Sequence, residues 1–208
     1  MIRLFQDAPR WEAINRGEKA EATKAREVYK KFCAEGVHNA AASSPASAAA
    51  GSVALSSTHV SSVNGESWTL NEAGAKSIAN YPHLRAFNGA LYVSGISSRR
   101  PDNTHEGAVA RADGSGGFDL DIRAQTKAVL TNISRILAQA GAGLEHVVDV
   151  TVFLVNMDDY AGMNEVYNGF FTDPARAPTR TTVAVKQLPH PNLLVEIKCV
   201  AADPRKKQ

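Results

Sequence analysis

Cysteine is nearly missing from this chain. Only Cys33 and Cys199 occur, with no CxxC pair and no metal-ligand spacing, so neither a disulfide framework nor a zinc ribbon organises the fold. This usage suits a reducing compartment, and Cys199, within an apolar stretch, reads as a small buried hydrophobe. The six histidines also lack metal spacing, which argues against zinc. An excess of one charge is missing too. The net charge is +2 and the basic residues are scattered, which leaves no electrostatic footprint for nucleic acid. No apolar run approaches the length of a membrane span. The N-terminus lacks the apolar run of a secretory signal. Its early Arg3 is soon followed by Asp7, Glu12, Glu18 and Glu21, whereas a mitochondrial presequence is poor in acids. The expectation is a cytoplasmic protein, with the mitochondrion as the alternative. No internal repeat is visible.

What is present suffices for a real core. Apolar residues make up 44% of 208 positions, the normal globular range, in a chain long enough for one domain plus an appendage. Residues 1–38 form a helical extension by pattern. Glu18 to Cys33 is rich in helix formers and Glu–Lys pairs, with Ala22, Ala25, Val28, Tyr29 and Phe32 as a narrow apolar stripe, suited to docking or to a marginal solvated helix. Residues 39–63, mostly Ala, Ser, Gly and small polar residues, read as a linker that cannot build a core. The main domain is expected over 64–202, with 203–208 as a basic tail.

Within that domain Gly65–Leu70 reads as a strand. Pro82–Phe87 and Ala90–Val93 form a hairpin about Asn88-Gly89. Ser97 to Gly117 is a long loop of the kind that often carries function. Asp121 to Ala140 is the strongest helix, with Asp119 or Asp121 as cap and Ile122, Thr126, Val129, Ile133, Ile136 and Leu137 on one face. Val147–Val155 is an apolar strand with both sides buried. A second helix, capped by Asp158 or Asp159, packs through Met163, Val166, Tyr167, Phe170 and Phe171. Two alternating strands, 177–188 and 194–200, are joined by Pro189-His190-Pro191-Asn192. The order β-β-β-α-β-α-β-β predicts an α+β layer with helices on one face of a mixed sheet. Arg180, at the head of the first of these closing strands, needs explaining. A guanidinium fork matches a carboxylate, either that of a ligand or that of a surface ion pair.

Pro178-Thr179-Arg180-Thr181-Thr182-Val183, followed by Val195-Glu196-Ile197, resembles the closing signature of the RidA/YjgF family of imine and enamine deaminases. Tyr81 to Gly95, ending in Val93-Ser94-Gly95, resembles its first block, and Val147 to Phe171 its central block. The resemblance spans roughly residues 66–202. Val93 to Asn103 and Leu188-Pro189-His190-Pro191 most resemble the 2-aminomuconate deaminase branch.

The resemblance implies a chorismate mutase-like sheet of six strands with two helices, assembled as a homotrimer with ligand pockets between subunits and using no cofactor and no metal. It implies that Arg180 forks a substrate carboxylate, assisted by backbone amides at Gly95 and Thr182, and that Tyr81 and Asn164 face the pocket. One departure stands out. Many members carry an acid at the position of Lys198, where it handles water. Lys198 is either a solvent-facing lysine in a protein that kept only the fold or a cation suited to a more anionic substrate, able to move protons. A site for 2-aminomuconate needs two cationic clamps. Arg180 takes one carboxylate, and Arg99, Arg100 or Lys198 the other, with Ser97 and Ser98 as hydroxyl donors and His190 as a candidate contact. Solvated turns are the plain alternative for Arg99, Arg100 and His190. The implied reaction converts 2-aminomuconate, or a similar unsaturated amino diacid, to the 2-oxo acid and ammonia. The alternatives are the general 2-aminoacrylate-type deaminase and a non-catalytic trimeric ligand-binding protein.

Overall fold

The computed structural model describes residues 57–206 except 72, 73 and 114. The N-terminal helix, most of the linker and Cys33 lie outside the described residues. Seven strands form one sheet: β1 (Ser57–Ser62), β2 (Gly65–Leu70), β3 (Leu84–Phe87), β4 (Ala90–Ile96), β7 (Val147–Leu154), β8 (Thr179–Ala184) and β9 (Val195–Ala202), in the order β1-β2-β3-β4-β9-β7-β8. Only β7 and β8 run parallel. Two short strands, β5 (Ala108–Ala110) and β6 (Phe118–Leu120), pair as a separate ribbon. Helices α1 (Ile122–Ala138) and α2 (Tyr160–Phe170) pack together on one face of the sheet.

The local chemistry explains these elements. Asn88 and Gly89 both take positive φ, 49° and 76°, the conformation a two-residue hairpin turn demands. The Asp121 carboxylate caps α1 by accepting from the Arg123 and Ala124 N–H groups at 2.8 and 3.2 Å. Asp119, the other candidate cap, instead pairs with Arg111 at 2.7 Å. At α2 neither predicted aspartate caps. Asn156 accepts from the Asp158 N–H at 3.1 Å, and the Asp159 side chain makes no capping bond.

The core lies between the helices and one sheet face. Val129, Ile133 and Leu137 of α1 meet Leu91 of β4, Val152 of β7 and Ile197 of β9, all buried. Burial on β7 and β9 alternates, which corrects the expectation that Val147–Val155 is buried on both sides. Val148, Thr151 and Phe153 point away from the helices and stay at least partly exposed. The same outer face carries Phe87, Tyr92 and Val183, 40–47% exposed.

The seventh strand, β1, falls inside the stretch read as linker and pairs antiparallel with β2 from Ser57↔Leu70 to Ser62↔Gly65. The residues after β9 are also anchored. Arg205 binds buried Asp203 at 2.7 Å and Glu66 at 2.9 Å, and its guanidinium lies 4.9 Å from the Trp68 ring. Cys199 is buried, and burial, with Asp149 nearby, pushes its thiol up to about 12.

Gln125 of α1 fixes the turn before β9. Fully buried, it donates to the Asn192 carbonyl at 2.7 Å and accepts from the Leu194 N–H at 2.9 Å. Gln125→Leu leaves both backbone groups unpaired and is expected to cost about 1–3 kcal/mol in denaturant unfolding, whereas replacement of exposed Lys127 on the same helix should cost almost nothing.

Candidate functional site

Arg180 stands on β8 opposite Val150 of β7. The Thr179 hydroxyl donates to the Asp149 carboxylate at 2.8 Å and fixes the strand's start. The Arg180 side chain turns to the helix face. Its guanidinium carbon lies 4.5 Å from the Tyr167 ring centre and 5.9 Å from that of Tyr160, and Nη2 donates to the Tyr160 hydroxyl at 3.3 Å. Among the described residues no carboxylate pairs with it.

Around this cation are buried polar atoms without partners: Asn164 Oδ1, the Tyr167 hydroxyl and Thr182 Oγ1. Thr182 lies two residues beyond Arg180, on the same face of β8. Tyr160, Asn164 and Tyr167 lie at i, i+4 and i+7 on α2, one helical face. Each unpaired buried atom costs about 1–3 kcal/mol until something bonds it. The guanidinium and the Tyr167 and Thr182 hydroxyls can donate to an anion, and Asn164 Oδ1 can accept from a donor beside it. Burial pushes the Tyr167 phenol up to about 12, against the opposing pull of Arg180. Tyr160 moves the other way, lowered first by its hydrogen bond with Asn164 and then by Arg180.

Lys198 and Glu196 occupy the other face of the sheet, two residues apart on β9, opposite Thr151 and Phe153. Lys198 is exposed. Glu196 is half-buried, and that burial raises its carboxyl above the usual range. Gly95 stands against it, where a Cβ would meet Glu196 Oε1 at 2.3 Å, so a larger residue there would have to push this carboxyl aside. Two strands, β9 and β7, separate β4 from β8, about 14 Å at the usual strand spacing. Arg180, Thr182 and Asn164 therefore come together, while Gly95 and Lys198 do not join them within one chain.

The remaining predicted residues form a third group. Arg99 donates to Asn103 at 2.9 Å and to the Lys76 carbonyl, and Arg100 pairs with Glu106 at 2.5 Å. Ser97 Oγ accepts from the Arg99 N–H at 3.4 Å, while Ser98 Oγ is buried and unpartnered. Exposed Tyr81 lines an open cleft of about 820 Å³ with Val60, Ser67, Lys76 and Asn80. His190 accepts from the Asn192 N–H at 3.1 Å and stacks on His105 at 4.1 Å between ring centres.

Both of these rings are held neutral. Burial, then His190, Arg99 and Arg100, lowers His105 to about 4, and burial followed by Arg99 lowers His190. A folded value below the unfolded one near 6.5 gives stability that is present above that pH and lost on acidification towards 4. Unfolding midpoints should therefore fall between pH 6.5 and 4, and less steeply in His105→Asn than in the parent chain.

Comparison with known proteins agrees with this architecture. The family model described as endoribonuclease L-PSP matches residues 72–203, and the chain belongs to that family, the RidA/YjgF group. A RutC family protein of Pyrococcus horikoshii is 46% identical over 132 residues, 64% of this chain and 94% of the relative. Protein mmf1, mitochondrial, of Schizosaccharomyces pombe is 32% identical over 64% of this chain and 75% of its own length. The solved structure of E. coli TdcF with bound serine superposes with a TM-score of 0.51 at 26% identity, covering 64% of this chain and 96% of that one.

Proposed function

We propose that this protein hydrolyses unsaturated 2-amino acids, as enamines or imines, to 2-oxo acids and ammonia, with 2-aminomuconate as its preferred substrate class. The observation that carries the reading is Arg180, free of any carboxylate among the described residues and ringed by three unpartnered buried polar atoms. A forked carboxylate satisfies the guanidinium, and the substrate's nitrogen or an ordered water satisfies Asn164, Tyr167 and Thr182. Family membership supports deaminase chemistry, and the serine bound to TdcF is itself an amino carboxylate.

The working form is a homotrimer with sites between subunits. Gly95, Glu196 and Lys198 then come to Arg180 from the outer face of a neighbouring copy, and the apolar residues of that face are covered. Arg99 and Arg100 are committed within their loop, which leaves Lys198 as the clamp for a second carboxylate. We place the protein in the cytoplasm, with the mitochondrion as the alternative.

The test is ammonia release from freshly generated 2-aminomuconate beside 2-aminoacrylate. Fast release from the diacid supports the preferred class. Release from 2-aminoacrylate alone replaces it with the general family role. Silence in both assigns the site to ligand binding without turnover.

A further inference from the structure

Tyr160 begins α2 and stands at the edge of the Arg180 site. Its hydroxyl accepts from Arg180 Nη2 at 3.3 Å, and Asn164, one turn along the helix, is the first cause that lowers the same phenol. The first residue of a helix also feels the partial positive charge of unpaired N–H groups. Asn164, Arg180 and the helix start all favour the phenolate, against a smaller opposing effect of burial. A phenol in that setting gives up its proton more readily than a free one and can take it back, as proton transfer requires.

Of the two phenols this chain sets beside Arg180, only Tyr160 is lowered. Glu196 and Lys198 lie on the opposite face and reach the site only from a neighbouring copy. Tyr167 holds its proton too tightly, and its ring packs against the guanidinium. A carboxylate forked on Arg180 carries C2 one bond beyond, and the same guanidinium has the Tyr160 hydroxyl 3.3 Å from Nη2.

We propose that Tyr160 is the proton-transfer residue of this deamination, acid toward the enamine carbon and base toward the attacking water. The proposal rests on the carboxylate reading of Arg180. Tyr160 gives its proton to C3. The C2=C3 π pair forms the new C–H bond, and the nitrogen lone pair forms C=N, leaving an iminium and a tyrosinate. Water oxygen then bonds C2, the C=N pair returns to nitrogen, and the water proton passes to the tyrosinate. The carbinolamine hydroxyl proton moves to nitrogen, ammonia leaves with the C–N pair, and C=O forms. Tyr160 ends as it began, and enamine plus water has become 2-oxo acid plus ammonia.

The test compares the full chain with Tyr160→Phe and Arg180→Ala. Ammonia release is measured from pH 6 to 10 on whichever enamine the parent turns over, and calorimetry follows binding of 2-oxobutanoate. Tyr160→Phe keeps the ring and is expected to lower kcat by roughly 10²–10⁴-fold with KM and binding little changed. It should also lose the alkaline fall in kcat set by phenol ionisation. If it matches the parent in kcat and pH profile while Arg180→Ala loses binding and turnover, Tyr160 has no such role and the site reading stands. Loss of binding together with kcat in Tyr160→Phe makes the residue structural and overturns the proposal. Unchanged binding and turnover in Arg180→Ala overturns the site reading and this proposal with it.

Discussion

Arg180→Ala is expected to lower kcat/KM by about 30- to 4,000-fold, the equivalent of about 2–5 kcal/mol for removing one partner of a buried, charge-assisted pair. The guanidinium is the one cation facing Asn164, Tyr167 and Thr182 among the described contacts, so no neighbour can take over. Arg180→Lys should recover little of the loss, because an ammonium restores charge without the planar fork. Steady-state kinetics with product binding separates the two contributions. A carboxylate clamp predicts that both variants bind a 2-oxo acid weakly, whereas a merely structural arginine predicts lower thermal stability with normal binding in the surviving fold.

Mixing two inactive variants should restore activity. If Arg180 of one copy and Lys198 of the next build each site, Arg180→Ala and Lys198→Ala are each weak alone. Assembled randomly in equal amounts, they should regain about one quarter of the parent activity, the chance that a given site receives both native residues around a closed ring. A site contained in one chain predicts no recovery, since each polypeptide keeps its own defect. The geometry behind this expectation is plain: Lys198 and Arg180 lie on opposite faces of one sheet with β7 between their strands.

Much of this arrangement is legible in the residues. The hairpin at Asn88-Gly89, the cap at Asp121 and the apolar stripe of α1 each follow from a local signal that one side chain or one turn decides. β1 was hidden for an equally local reason. Ser57–Ser62 is Ser-rich and almost wholly exposed, so it has no apolar alternation to read, and only pairing with β2 makes it a strand. A domain boundary at residue 64 separates β1 from that partner. The β5–β6 ribbon is too short to leave a period.

Arg180, Thr182 and Asn164, which the family signature picks out, stand together on the helix side of the sheet. The signal that adds Tyr160 and Tyr167 is spacing alone, since with Asn164 they share one helical face. The opposite faces of Lys198 and Arg180 follow from strand order, which no single stretch of chain encodes.

Arg180 also has a place in the solubility of the protein. β8 is the last strand of its sheet, and the outer N–H and C=O groups of an edge strand offer a template on which another chain can add. Its sequence, Thr-Arg-Thr-Thr-Val-Ala, is rich in β-branched residues that favour such growth. A charge pointing inward from an edge is one of the devices that stop it, because an added strand would have to bury that charge without a counter-ion. The residue proposed as the carboxylate clamp thus also guards the sheet against its own kind, and a preparation of Arg180→Ala is expected to contain aggregate, read by size-exclusion chromatography, that must be removed before its remaining activity is measured.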